Sequence, residues 1–144
     1  GDNKMRATIF EKIVEKKGSV PTLIHPSANV SKYAQLGRGV VVHMNTVVHP
    51  DVTVGDNTVL SYNVSVTHST HIGKNCYLAF GVMLGAYTIV EDFVFIGIGA
   101  IVISGKVDSI GTFASIGAGA VVTKSVASYE CVAGNPAKFI KTLK

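Results

Sequence analysis

Aliphatic residues recur at every sixth position along most of this chain: Ile24, Val30, Leu36, Val42, Val48, Val54, Leu60, Val66, Ile72, Leu78, Leu84, Val90, Ile96 and Val102. Four places after many of these rungs stands a small or β-branched residue, as at Ala28, Ala34, Thr46, Thr58, Thr70, Cys76, Thr88 and Ala100. Two residues in each six therefore share one buried side. Such a period matches neither an amphipathic helix nor a simple alternating strand. It matches short strands joined by regular corners, three to a coil, which is a parallel β-helix. A β-sandwich would need the unbroken run of rungs to be coincidence. The span from Ile24 to Val126 holds five to six coils, and the usual strand spacing of ~4.8 Å predicts a prism roughly 25 Å long.

The rhythm slips once. After Val102 the next rung is Ile110, followed by Ile116 and Val122 in the old spacing, so two extra residues bulge out between Ile103 and Ser109. Ser104, Gly105 and Lys106 supply turn chemistry there, and Lys106 to Ser109 is expected to form a small corner loop. Ahead of the ladder, Met5, Ile9, Phe10, Ile13 and Val14 mark one face of a helix over Met5 to Lys17, with Asp2 or Asn3 as its cap and Gly18 as its stop. Behind it, Tyr129 to Lys144 forms a basic tail in which Pro136 can open a short helix. The chain thus divides into a leading helix and linker (1–20), the β-helix (21–128) and a C-terminal cap (129–144). A stacked coil leaves unpaired backbone at both ends, so both flanking segments are expected to cover it.

Composition narrows the partners. The chain has 144 residues, 47% of them apolar and 8% aromatic, with no tryptophan, as befits one domain with a thin aliphatic interior. The uncharged stretches Asn75 to Val90 and Phe93 to Gly105 carry glycines and fall short of the ~18 apolar residues a membrane span needs. A soluble protein is expected. The N-terminus is charged from Asp2 and Lys4 and lacks an apolar signal core, and the two cysteines are far apart with Cys76 facing inward. Those features point to a reduced, cytoplasmic setting without disulfide or cysteine metal cluster. A net charge of +4 without a dense basic run disfavours nucleic acid and suits a small polyanion.

Five histidines compete for a chemical role. His25 and His43 occupy equivalent places on successive coils, where structural or surface roles suffice. His49 precedes Pro50, one coil before Thr67, and is a substrate-side candidate beside His68. His68 follows rung Val66 by two residues, on the outside of a middle coil, ahead of a glycine-rich coil that can line a cleft. His71 makes an HxxH pair with it, but two histidines lack the third protein ligand that catalytic zinc requires.

The ladder, with IGAGAVV at Ile116 to Val122 and VAGNPAK at Val132 to Lys138, resembles the hexapeptide-repeat acyltransferases. That resemblance implies a left-handed parallel β-helix, despite the general right-handed preference of crossovers, and a homotrimer with active sites between neighbouring prisms. GDNKMR at Gly1 to Arg6 and TLIHPSANVS at Thr22 to Ser31 are similar to the branch that acetylates sugars, which includes sialic acid O-acetyltransferases and nucleotide-amino-sugar N-acetyltransferases. In that branch a Rossmann-like domain precedes the β-helix, so the resemblance implies a chain lacking most of that domain.

The same resemblance implies acetyl-CoA as co-substrate, a sugar acceptor, no metal, and His68, just before Ile72 and Gly73, as the catalytic base. A neutral imidazole can take the acceptor's proton and pass it to the leaving thiolate, and histidine's unperturbed pKa of ~6.5 suits both steps. Ser69 stands where an acidic residue often orients the histidine, leaving Ser69 itself, Glu91, Asp92 or an acid from a neighbouring chain to do so. Because amines need less help from a base than hydroxyls, N-acetylation is favoured over O-acetylation. A non-catalytic trimeric scaffold and a γ-carbonic-anhydrase-like hydratase are the alternatives from other classes. On the cofactor side, Tyr77 is implied near the acetyl group. Positions eighteen apart stack, so His68, Ala86 and Ser104 form a column with Gly85 and Gly105 beside it, a wall of small residues that a pantetheine arm can approach, with a backbone N–H near Gly85 or Ala86 for the oxyanion. Ala118 and Lys124 resemble the CoA-lining rung, Lys138 the closing basic segment, and the two lysines suit the CoA phosphates.

Overall fold

A computed structural model describes residues 2–143; Gly1 of the GDNKMR segment and Lys144 of the tail lie outside the described residues. Each six-residue unit contributes a two-residue strand, and strands one coil apart, eighteen residues before the slip in period and twenty across it, pair in parallel. Three sheets result. Face A stacks Leu23–Ile24, Val41–Val42, Val59–Leu60, Tyr77–Leu78, Phe95–Ile96 and Ser115–Ile116. Face B stacks Asn29–Val30, Val47–Val48, Ser65–Val66, Met83–Leu84, Ile101–Val102 and Val121–Val122. Face C stacks Gln35–Leu36, Thr53–Val54, His71–Ile72, Ile89–Val90 and Ser109–Ile110. The result is the parallel β-helix of hexapeptide repeats that the ladder predicts.

The rungs from Val42 onward are buried, and burying each such side chain is worth ~1.5–3 kcal/mol. In the first coil Ile24 remains 49% exposed, because no coil lies beneath it among the described residues. The buried fourth places do more than fill space. Thr46, Thr58 and Thr70 each donate a hydroxyl to the corner carbonyl of Ser61, Gly73 and Gly85 in turn. Cys76 occupies the same place and its thiol donates to the Glu91 carbonyl at 3.0 Å. Its inward slot therefore uses the thiol as a threonine substitute, and burial pushes its pKa up to about 12.

The extra residues fall where the slip in period puts them. Val107, 2% exposed, takes the inward place one step late, leaving Ser104, Gly105 and Lys106 outside. The leading helix runs from Asn3–Glu15, slightly earlier than its apolar face suggests, because the Asp2 carboxylate accepts the Met5 N–H and caps it. No helix among the described residues is long and apolar enough to cross a membrane. Arg6 fastens the helix across the coils, donating to the carbonyls of Asn57, Asn75 and Cys76 and to the Asn3 side chain. Burial lowers the Arg6 pKa, which nearby Cys76 and Tyr77 partly offset.

The tail is strand rather than the short helix that Pro136 allows. Glu130–Ala133 adds in parallel to the exposed top of face A, and Lys138–Thr142 folds back antiparallel upon it. An open sheet edge offers unpaired backbone that a strand satisfies and a helix does not.

Candidate active site

From Gly39 to Gly119 each corner turns on the third residue after its rung, which takes the left-handed conformation, as at Asn45, Asp51, Asn57, Asn63, Ser69, Asn75, Gly81, Tyr87, Phe93, Gly99 and Gly105. Asparagine, aspartate and glycine tolerate that backbone well, and serine, tyrosine and phenylalanine do so at a cost. Ser69, at φ 56, is such a turn residue, and its N–H donates to the Pro50 carbonyl. Its position is therefore dictated first by the corner.

His68 stands exposed at the corner between faces B and C. The neighbouring Thr70 is buried and donates its hydroxyl to the Gly85 carbonyl at 3.1 Å, which ties this corner to the next coil. Ser69 Oγ lies 3.4 Å from His68 Nδ1, long for a hydrogen bond. Tyr87, one coil on, meets the imidazole edge to face, with centroids 5.2 Å apart and planes at 87°. Tyr87 was not among the residues singled out from the sequence; its place eighteen residues after Ser69 is the signal that finds it.

Neither proposed acidic substitute reaches His68 within this chain. Glu91 Oε2 accepts both the backbone N–H and the hydroxyl of Thr112 at 2.7 Å, and these bonds hold its pKa below the usual carboxylate value. Asp92 accepts the Lys74 N–H at 2.7 Å. Both follow a face C rung and so belong to the corner between faces C and A.

The column His68, Ala86, Ser104 forms as the spacing predicts, through the register Val66, Leu84, Val102. Both backbone donors proposed for the oxyanion are engaged. The Gly85 N–H is committed to the Val102 carbonyl, while the Ala86 N–H donates to the Ser104 hydroxyl at 2.8 Å. Of the two oxyanion candidates, Ala86 is the one whose partner can rotate away. Gly85 is buried, and a Cβ there would meet Ser104 N at 2.5 Å and Val102 O at 2.6 Å. Glycine is thus required at this place by the approach of the next coil. Gly105, at φ 67, faces open space.

His49 shares the corner of His68 one coil earlier, with its N–H on the Val66 carbonyl. Lys124 and Lys138 converge on one cavity at the C-terminal end, together with Ser125, Glu130 and Phe139. Ala118 is exposed on a different corner, between faces A and B. Tyr77 belongs to face A, opposite the His68 corner, stacked on Phe95 at 5.9 Å with Arg6 above it. His71 lies on face C with Nδ1 2.8 Å from Thr53 Oγ1, and no cluster of three potential metal ligands occurs among the described residues. His25 contacts Ser27, and His43 packs on Tyr62 at 4.5 Å.

A family model described as bacterial transferase hexapeptide (six repeats) matches residues 33–68. A mutant of GDP-perosamine N-acetyl transferase from Caulobacter crescentus, solved with CoA and GDP-perosamine, superposes with a TM-score of 0.94 at 32% identity, over 97% of this chain and 66% of that one. The acetyltransferase domain of PglB from Neisseria gonorrhoeae superposes with a TM-score of 0.94 at 30% identity, over 96% of this chain and 67% of that one. WeeI from Acinetobacter baumannii gives 0.92 at 25% identity, over 96% and 67%. The chain spans about two thirds of the length of these structures, and 66% of the first. No curated protein sequence matches it significantly.

Proposed function

The chain belongs to the hexapeptide-repeat acyltransferase family, and from that premise we propose that it is the catalytic β-helix of an acetyl-CoA-dependent sugar acetyltransferase acting on the amino group of a nucleotide-linked amino sugar. The observation that carries this reading is the single corner on which His68, Ala86 and Ser104 stack in register, an outward imidazole beside a backbone donor held by a movable hydroxyl. The relatives solved with CoA and GDP-perosamine, or with acetyl coenzyme A, support the same ligand classes.

In this reading acetyl-CoA lies along the corner with its thioester carbonyl toward Ala86. His68 Nε2 takes a proton from the acceptor nitrogen as that nitrogen attacks the carbonyl carbon. The tetrahedral oxyanion draws on the Ala86 N–H once Ser104 has turned away. Collapse expels the CoA thiolate, and the imidazolium returns the proton to sulfur. Lys124 and Lys138, which converge at the C-terminal end, would receive the phosphates of CoA.

The working unit in this proposal is a homotrimer. Tyr77 faces away from His68 within one chain, so an acetyl contact requires a neighbouring copy. An exposed apolar column on the corner between faces A and B, formed by Met44, Tyr62, Phe80 and Ile98, supports association there.

The test is acetyl transfer from acetyl-CoA to candidate nucleotide amino sugars, read as free thiol released. His68→Ala with an intact fold should lose roughly 10²–10⁴-fold in kcat. Undiminished transfer by that variant would remove His68 from the mechanism. CoA should also raise the melting temperature of the wild type, and no shift would favour a scaffold.

A further inference from the structure

Aromatic residues in the left-handed conformation occur at two corners, and they are not equivalent. At the corner between faces C and A, Phe93 stacks on Phe113 at 4.6 Å and Phe113 on Tyr129 at 5.1 Å, so each strained backbone gains an aromatic neighbour in its own column. Tyr87 adopts the same backbone, at φ 61, between Ser69 below and Gly105 above. It is 68% exposed, so burial does not offset the strain. Asparagine or glycine fills the equivalent place at Asn45, Asn63, Gly81 and Gly99 with less strain. The ring that Tyr87 does meet is His68, edge to face. Strain retained without burial, directed at an exposed imidazole, marks a site where position matters more than stability.

Resting on the acetyltransferase reading, we infer that Tyr87 is a positioning residue for His68, its ring taking the orienting role that a carboxylate beside the histidine would otherwise fill. Ser69 alone is a poor orienter. Its hydroxyl is 3.4 Å from Nδ1 and its backbone is committed to the turn. Perpendicular aromatic contacts are favourable because the edge of one ring carries positive charge and the face of the other negative. Such a contact restricts rotation of the imidazole and keeps its free nitrogen turned to the groove. The phenol oxygen is not needed for this, and the ring is.

The 144-residue chain allows a test independent of turnover. The imidazole C–H resonances of His68 are followed by carbon-edited NMR, and kcat and KM are measured in parallel, for Tyr87→Gly, Tyr87→Asn and Tyr87→Phe. Glycine and asparagine suit the left-handed backbone, so both variants should fold with melting temperatures at or above the wild type. Both should lose the ring-current displacement of the His68 resonances, and kcat should fall at least about tenfold with KM for acetyl-CoA unchanged. Tyr87→Phe should restore the displacement and the rate together. His68 resonances that stay in place in Tyr87→Gly and Tyr87→Asn, or turnover at the wild-type rate, would overturn the inference. Should the wild type transfer no acetyl group, the acetyltransferase reading fails, while the resonances still decide whether Tyr87 holds His68.

Discussion

The Ser104 hydroxyl accepts the backbone N–H of Ala86 at 2.8 Å, bridging two coils across the corner that also bears His68. A buried donor is thereby satisfied by a group that turns about one bond. Ser104→Ala leaves that N–H without its partner, which costs about 1–3 kcal/mol. The melting temperature should fall, and saturating acetyl-CoA should narrow the gap to the wild type because its thioester carbonyl supplies a replacement acceptor, whereas free CoA, which lacks that carbonyl, should not. A thermal-shift series without ligand, with CoA and with acetyl-CoA checks both halves.

Gly85 and Gly105 should respond to substitution in opposite ways. A Cβ at Gly85 meets backbone of the next coil below 3 Å, so Gly85→Ala forces the coils apart and should cost about 1–3 kcal/mol. Gly105 has the turn conformation and open space around it, and Gly105→Asn copies the residue used at several other corners. It should stay within about 0.5 kcal/mol of the wild type. Chemical denaturation of the two variants provides the comparison.

Arg6 should be irreplaceable by lysine. Its guanidinium reaches the carbonyls of Asn57, Asn75 and Cys76 and the Asn3 side chain at once, a spread that a single ammonium cannot match. Arg6→Ala should lose at least about 1.5–3 kcal/mol, and Arg6→Lys should recover little of it. Hydrogen exchange will show the Asn3–Glu15 helix losing protection in both variants.

Acid should weaken the link between Glu91 and Thr112. The two bonds from Thr112 hold the Glu91 pKa below its ordinary 4.5. Their contribution is complete above the unfolded carboxylate pKa and disappears as pH falls through the lower folded value. Glu91→Gln should therefore reduce stability near neutrality and flatten the decline below about pH 4.5. The effect will be small, since the carboxylate is exposed. Denaturation midpoints from pH 3 to 7 (roughly the range in which carboxylates titrate) will measure it.

Much of the fold was legible because each rung obeys one rule: a residue every six is apolar, and residues eighteen apart touch. That rule placed the three faces, the inward Cys76 and the bulge after Val102. It did not place the tail, since Pro136 and the lysines around it are compatible with a short helix, and the open top of face A decided for strand. At the site, the column of His68, Ala86 and Ser104 followed from spacing alone. The commitments of its hydrogen bonds did not, and Glu91 was considered for His68 although Thr112 holds it at another corner. Tyr87 escaped notice because its significance lies in a backbone angle. The recurring asparagine or glycine three residues after a rung announces that angle, and Ser69 and Tyr87 are legible as departures from it.

The bulge at Ser104 to Val107 acts as an expansion joint. Two additional residues enter the chain, yet Ile110, Ile116 and Val122 resume their stack because Val107 plugs the core one step late. Length can therefore be added at the corner that carries His68 without rephasing any rung. A solenoid built in this way can keep the stack beneath His68 fixed while the rim above it is lengthened or trimmed, so the width of this corner becomes adjustable separately from the core that supports it.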